Sequence, residues 1–151
     1  MVTDLCCWSS DSCELSDERY SDLRRVISIS QNTEVNIHDE DAPEDANSSC
    51  RYVMRQHQKG CNSISIRKGT EMLASGSDDG YTIVTNLVSY RHEVMPKTRD
   101  IPVKHVLFLE GHECLLSIDA YGMVTFYGAG ESKFKNKVIM EKQYFTESLT
   151  N

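Results

Sequence analysis

A glycine-rich turn beside a lysine, a histidine two residues from a cysteine, and an acid-rich run are the stretches whose residue types can do chemistry. Gly128-Ala129-Gly130-Glu131-Ser132-Lys133 begins like a phosphate-binding loop. Such a loop needs Gly, four residues, then Gly-Lys-Ser/Thr between a strand and a helix; the helix N-terminus and backbone N–H groups then cradle the phosphates, and the hydroxyl takes Mg²⁺. Here the second Gly is missing, and Phe134 follows Lys133 where the hydroxyl should be. The continuation, Lys-Phe-Lys-Asn-Lys-Val-Ile-Met-Glu-Lys, alternates like a strand and carries no helix start signal. A turn is the leading reading of residues 128–133, and a nucleotide-binding enzyme the alternative.

His112 and Cys114 have the types of a base and a nucleophile, but no third residue is placed to orient them. Gly111-His112 reads as a hairpin turn and Cys114 as a buried strand thiol. The six cysteines (6, 7, 13, 50, 61 and 114) lack the paired spacing of a zinc site. The acidic run Asp39-Glu-Asp-Ala-Pro-Glu-Asp45 has oxygen ligands but neither the glycine nor the closing glutamate of an EF-hand loop. It reads as a solvated loop that could meet a basic partner. No catalytic residue, cofactor or metal site is expected.

Charge narrows the partners. Residues 1–50 hold 12 acids and 3 bases, a net of −9, whereas residues 51–151 hold 11 acids and 13 bases, a net of +2. Duplex binding needs a concentrated basic face to displace counterions, and only Lys133, Lys135 and Lys137 approach one. Nucleic acid is therefore not an expected partner, and no apolar run reaches membrane-spanning length. The start, Met-Val-Thr-Asp-Leu-Cys-Cys-Trp, has no signal-peptide pattern, so the expected setting is intracellular, in the cytoplasm, with free thiols.

The elements that must position these groups follow from an internal repeat. Residues 61–87 align with 103–129 at a shift of 42, without a gap. Gly69/Gly111, Glu71/Glu113, Leu73/Leu115, Ser75/Ser117 and Gly80/Gly122 are identical, and Cys61/Val103, Ile64/Val106, Ile66/Phe108 and Val84/Phe126 keep the apolar pattern. Ile64 and Ile66 alternate with Ser63 and Ser65, the period of a half-buried strand. Turns at Arg67-Lys-Gly-Thr70 and Ser77-Asp-Asp-Gly80 lead to two further strands, Gly80 and Gly122 supplying positive φ. Residues 51–56, 93–98 and 137–142 are candidates for a fourth strand per unit. A looser first unit uses 2–8, 26–30 and 33–39, with Ser28 where Ser75 sits. Two polar inserts, 9–25 and 40–49, are expected to be surface loops.

Residues 57–87 resemble a WD40 repeat: His57 stands at the Gly-His position, Ser75 at the second-strand serine, and Asp79-Gly80 at the turn. The chain departs from the pattern where Gln56 replaces Gly and Thr85-Asn86 replaces Trp-Asp. In the next unit Arg99 replaces His, Tyr127-Gly128 replaces Trp-Asp, and Asp119 comes early in its turn; in the first unit His38-Asp39 takes the Trp-Asp place. The resemblance implies an all-β fold, a partial β-propeller of about three four-stranded antiparallel blades: 1–57, 58–99 and 100–142, with 143–151 a tail or the start of a further blade. It makes His57, Ser75, Asp79, Gly80, Ser117, Gly122 and Tyr127 structural positions. The family's Asp-His-Ser-Trp hydrogen-bond network should be partial in the second unit and missing in the third.

Propellers close with four to eight blades, so three leave two blade faces bare. The chain is thus expected to be a segment of a larger propeller, or to be completed by a second chain. The resemblance implies a protein-interaction scaffold without catalytic activity, binding other proteins or peptides. Divergent propellers lacking Trp-Asp occur in scaffolds of cilia and the cytoskeleton, which makes that setting compatible.

Overall fold

The computed structural model describes residues 2–9, 24–30, 33–39, 50–130 and 135–144. Residues 10–23 and 40–49 of the two polar inserts, the tail from 145 and residues 131–134 of the glycine-rich stretch lie outside the described residues, while Ser9, Arg24 and Arg25 at the ends of the first insert belong to strands. Twelve strands form three antiparallel sheets, and no helix occurs among the described residues. The first sheet is β1 (Val2–Ser9), β2 (Arg24–Ser30), β3 (Val35–Asp39) and β4 (Cys50–Met54), in that order. The second is β5 (Cys61–Ile66), β6 (Met72–Ser77), β7 (Thr82–Asn86) and β8 (His92–Val94). The third is β9 (Val103–Phe108), β10 (Cys114–Asp119), β11 (Met123–Gly128) and β12 (Val138–Gln143). The fold is all-β, a partial WD40-like propeller of three four-stranded blades.

The repeat extends to irregularities. In each first strand one residue is skipped at the same point of the ladder: Thr3 between Val2 and Asp4, Asn62 between Cys61 and Ser63, and Lys104 between Val103 and His105. Such a bulge re-aims a side chain. From neighbouring sheets, Asn62 Nδ2 and Lys104 Nζ both reach Asp78 Oδ1, at 2.8 and 3.0 Å. Gly80 and Gly122 hold φ of 81° and 80° in equivalent turns, where their amides donate to Ser77 O and Asp119 O, each at 3.0 Å. That left-handed region favours glycine because it has no Cβ to clash.

Two apolar cores lie between the sheets. Ile27, Ile29, Val35 and Ile37 of the first pack against Cys61, Ile64 and Leu73 of the second. Ala74, Val84 and Met95 of the second pack against Val103, Val106, Phe108, Leu115 and Tyr127 of the third. The fourth strand of the second sheet is shorter than residues 93–98 suggested. Met95 makes one more ladder bond, to Thr82 O at 2.8 Å, and buries its side chain; Pro96 has no N–H with which to continue.

First strands of successive sheets are tied by side chains. Ile64 N donates to Asp4 Oδ2 at 3.0 Å, Val106 N to Ser63 Oγ at 3.2 Å, and Phe108 N to Ser65 Oγ at 3.0 Å. These amides sit on strands at a sheet edge, where the ladder supplies no partner on that side. The serines that mark β5 as a half-polar strand are thus used between sheets.

Candidate functional site

Asp79, His57 and Ser75 form a linear hydrogen-bonded set in the second sheet. His57 precedes β5, Ser75 lies in β6, and Asp79 in the turn before β7. His57 Nδ1 donates to Asp79 Oδ2 at 3.0 Å, and Ser75 Oγ donates to His57 Nε2 at 2.9 Å. The order of groups is that of a hydrolase triad: a carboxylate orienting an imidazole that could take a hydroxyl proton. Access separates the two cases. Ser75 is 1% exposed and His57 5%, and none of the clefts described below is lined by either.

Charge in the set is fixed by its surroundings. Burial lowers the His57 pKa, with Asp79 opposing it, so the imidazole is held neutral. Burial pushes the Asp79 carboxyl up, but the Tyr81 and Gln58 amides, at 2.9 Å each, and then His57 bring it below its ordinary value. Asp79 therefore clamps the turn amide, the chain entering the sheet and the imidazole with two oxygens. Beside it, burial pushes the Cys61 thiol up to about 12, which removes its nucleophilic form at neutral pH.

The departures from the WD40 pattern partner one another. Gln56 and Thr85, which stand where the family has Gly and Trp, exchange hydrogen bonds: Gln56 Nε2 donates to Thr85 Oγ1 at 2.9 Å, and Thr85 Oγ1 lies 3.0 Å from Gln56 Oε1. Asn86 uses its Oδ1 to accept the Val88 and Ser89 amides at 2.9 Å, holding the turn into β8. In the third sheet Arg99 replaces the histidine, and its Nη1 sits 3.3 Å from Asp119 Oδ2. Asp119 Oδ1 accepts the Tyr121 and Met123 amides at 2.9 and 3.0 Å. Met123 is the repeat equivalent of Tyr81, so the two aspartates hold the same amide from different positions in the turn. The expected gap in the third unit is filled by an ion pair, because the longer arginine reaches the displaced carboxylate. Tyr127 is buried, its hydroxyl donating to Pro96 O at 3.3 Å, and burial raises its pKa. Ser117, also buried, lies beside the phenol and partly offsets that rise. In the first sheet Ser28 Oγ and His38 Nε2 share a bond of 3.2 Å.

The other candidates fall elsewhere. His112 is exposed in the β9–β10 turn, where Gly111 has φ 72°, and Cys114 begins β10 half-buried, its thiol raised by burial. Gly128 ends β11, Ala129 and Gly130 follow it, and β12 begins at Val138; no helix, which a phosphate loop needs, occurs among the described residues between the two strands. Beside it a cleft of about 210 Å³ runs between the second and third sheets, lined by Met72, Met95 and Phe108 with Arg67 and Lys135. A more open groove of about 630 Å³ lies between the β5–β6 and β9–β10 hairpins and carries Arg67, Lys68, Glu110 and Glu113. Among the described residues no three His, Cys, Asp or Glu gather as a metal site.

No protein-family model matches the chain, and no curated protein matches it in sequence. Its fold does match solved structures. The chain in "Structure of U3-55K", a WD40 β-propeller protein, superposes with a TM-score of 0.72 at 16% identity. The match covers 97% of this chain and 40% of that chain. At this identity the likeness establishes the fold; this chain spans 40% of the length of the protein it resembles.

Proposed function

We propose that this chain is a non-catalytic protein-interaction scaffold, an intracellular propeller segment that binds other proteins or peptides and takes neither nucleic acid nor a membrane as partner. The observation that carries this reading is the sealing of Ser75, His57 and Asp79. That set, which orders a nucleophile beside its base, is closed to substrate, and its bonds are spent holding a turn to a sheet. Propeller segments of this fold present rigid rims, and the mixed charges of the groove between the β5–β6 and β9–β10 hairpins suit a peptide of both signs.

The test pairs a binding assay with two activity assays on the purified chain. A partner captured from cells, identified and re-purified, should bind saturably, and Lys68→Glu with Glu110→Lys should weaken it at least about tenfold. Fluorogenic esters should show no turnover that Ser75→Ala removes, and Mg-ATP should leave the melting temperature unchanged. Ser75-dependent hydrolysis would overturn the scaffold reading, and an ATP-dependent rise would move the function to the glycine-rich stretch.

A further inference from the structure

The two junctions between sheets follow one plan and differ in one plug. In the first, Leu87 is fully buried, and Val88 and Tyr90 pack against the same core. At the repeat shift of 42, Leu87 and Val88 correspond to Ala129 and Gly130. The backbone bears out the equivalence: Leu87 N donates to Glu71 O at 2.8 Å, and Ala129 N to Glu113 O at 3.0 Å. Two small residues thus stand where the first junction is filled, and they line the cleft of about 210 Å³ between the second and third sheets. Its apolar lining, Met72, Val84, Met95, Phe108 and Leu115, belongs to the second core or packs against it.

The polar lining keeps unused donors. Arg67 enters from the β5–β6 turn, at a position where the next unit has Leu109. Its guanidinium lies so close to the Gly130 backbone that a Cβ there would displace it, and Gly130 holds φ of 61°. Glycine satisfies both constraints. Among the described residues the guanidinium makes no hydrogen bond, and Glu113 Oε1 stays 3.9 Å from Nη2. Among the described lining residues the one carboxylate is Glu71, which accepts Asn86 Nδ2 at 3.1 Å. Lys135 adds a second cation. An apolar floor beside two cations selects a bulky apolar group next to an anion.

Size and continuity choose the occupant. Sites that enclose a whole small ligand run to about 300–1,000 Å³, so this cleft suits a single side chain. Arg67 and Phe108 also line the open groove between the β5–β6 and β9–β10 hairpins, so groove and cleft meet. A peptide lying in the groove can place one side chain in the cleft. Methionine sulfur and a phenyl ring in the lining favour an aromatic side chain there, through sulfur–aromatic and ring–ring contacts.

We propose that the cleft is the specificity pocket for a peptide carrying an aromatic residue next to an acidic one, the ring seated among Met72, Met95 and Phe108 and the carboxylate held by Arg67. The inference rests on the interaction reading and adds to it the sequence recognised. The test uses the 151-residue chain, isotope-labelled at its six methionine methyls, with the peptide Gly-Asp-Phe-Asp-Gly, blocked at both ends, as probe. Titration should shift the Met72 and Met95 methyl signals saturably and leave those of Met54 and Met140, outside the cleft, in place. Exchanging the peptide's Phe for Ala, or both Asp for Lys, should abolish the shifts. Ala129→Leu, which restores the plug of the first junction, should abolish them as well, with the far-UV circular dichroism of strands retained. Arg67→Gln should weaken binding at least about tenfold, and it serves as a second readout should Ala129→Leu fail to fold. No saturable shift at the two methyls, or a shift indifferent to the peptide's acids, to Arg67→Gln or to a folded Ala129→Leu, would overturn the proposal. A partner whose binding is weakened by Lys68→Glu with Glu110→Lys, but not by Ala129→Leu or Arg67→Gln, would overturn it while leaving the interaction reading in place.

Discussion

Burying a histidine between a carboxylate and a hydroxyl makes the stability of this protein depend on pH. The folded state lowers the His57 pKa, burial outweighing the pull of Asp79. Above the unfolded value near 6.5 both states are neutral and the stabilisation is complete; as pH falls through that value the unfolded chain takes up a proton that the folded chain refuses. Stability should therefore drop between about pH 7 and 5.5, by up to about 1.4 kcal/mol per pH unit from this residue. Asp79 adds a separate loss at lower pH, because its folded pKa is below the ordinary value near 3.8 and its contribution vanishes as pH falls through it. Urea denaturation of wild type and His57→Gln across this range checks the sign: the variant should be less stable at pH 7.5 and show a flatter profile from 7 to 5.5. An unchanged slope would mean the imidazole is not held neutral. Ser75 was legible from the repeat, and His57 and Asp79 from the resemblance to a WD40 repeat. The Gln56–Thr85 exchange was not, since partners 29 residues apart carry no periodic signal.

Strand placement followed alternation closely wherever one face was apolar, as in β5, β6, β9 and β10. It ran long at β8, where a buried methionine and a proline end the ladder earlier than residues 93–98 suggested. Gly76 shows a constraint at the same scale. A Cβ there would lie 2.6 Å from Val103 Cγ1 and 2.8 Å from Val106 Cγ1, inside the second core. Gly→Ala would ordinarily stabilise a compatible strand position by about 0.4–1 kcal/mol through the unfolded state. Overpacking costs about 1–3 kcal/mol, so the clash should win. Gly76→Ala is expected to lower stability by about 1–2 kcal/mol on that balance, read from the urea midpoint. A neutral or stabilising result would show that β6 and β9 do not approach this closely.

Across the whole molecule, each sheet buries its faces only against its neighbours, so protection from solvent should follow position in the array. The second sheet has a neighbour on both sides within one chain, through Leu73 toward the first and Ala74 toward the third. Hydrogen exchange should be slowest at β6 and β7 and fastest at β12, whose side chains are nearly all exposed. Uniform protection in all three sheets would argue for a single cooperative unit.

By itself the sequence determined the all-β class, the 42-residue repeat, the turn glycines and the recurring serines. Those features are local: alternation, positive φ and a fixed period are properties of short stretches that need no partner to be recognised. Tertiary structure decided which replacements compensate, that Arg99 reaches Asp119, that the serines of β5 hold the next sheet's amides, and that a cleft opens beside Ala129. Each depends on two segments brought together by packing, and distance along the chain does not encode that meeting.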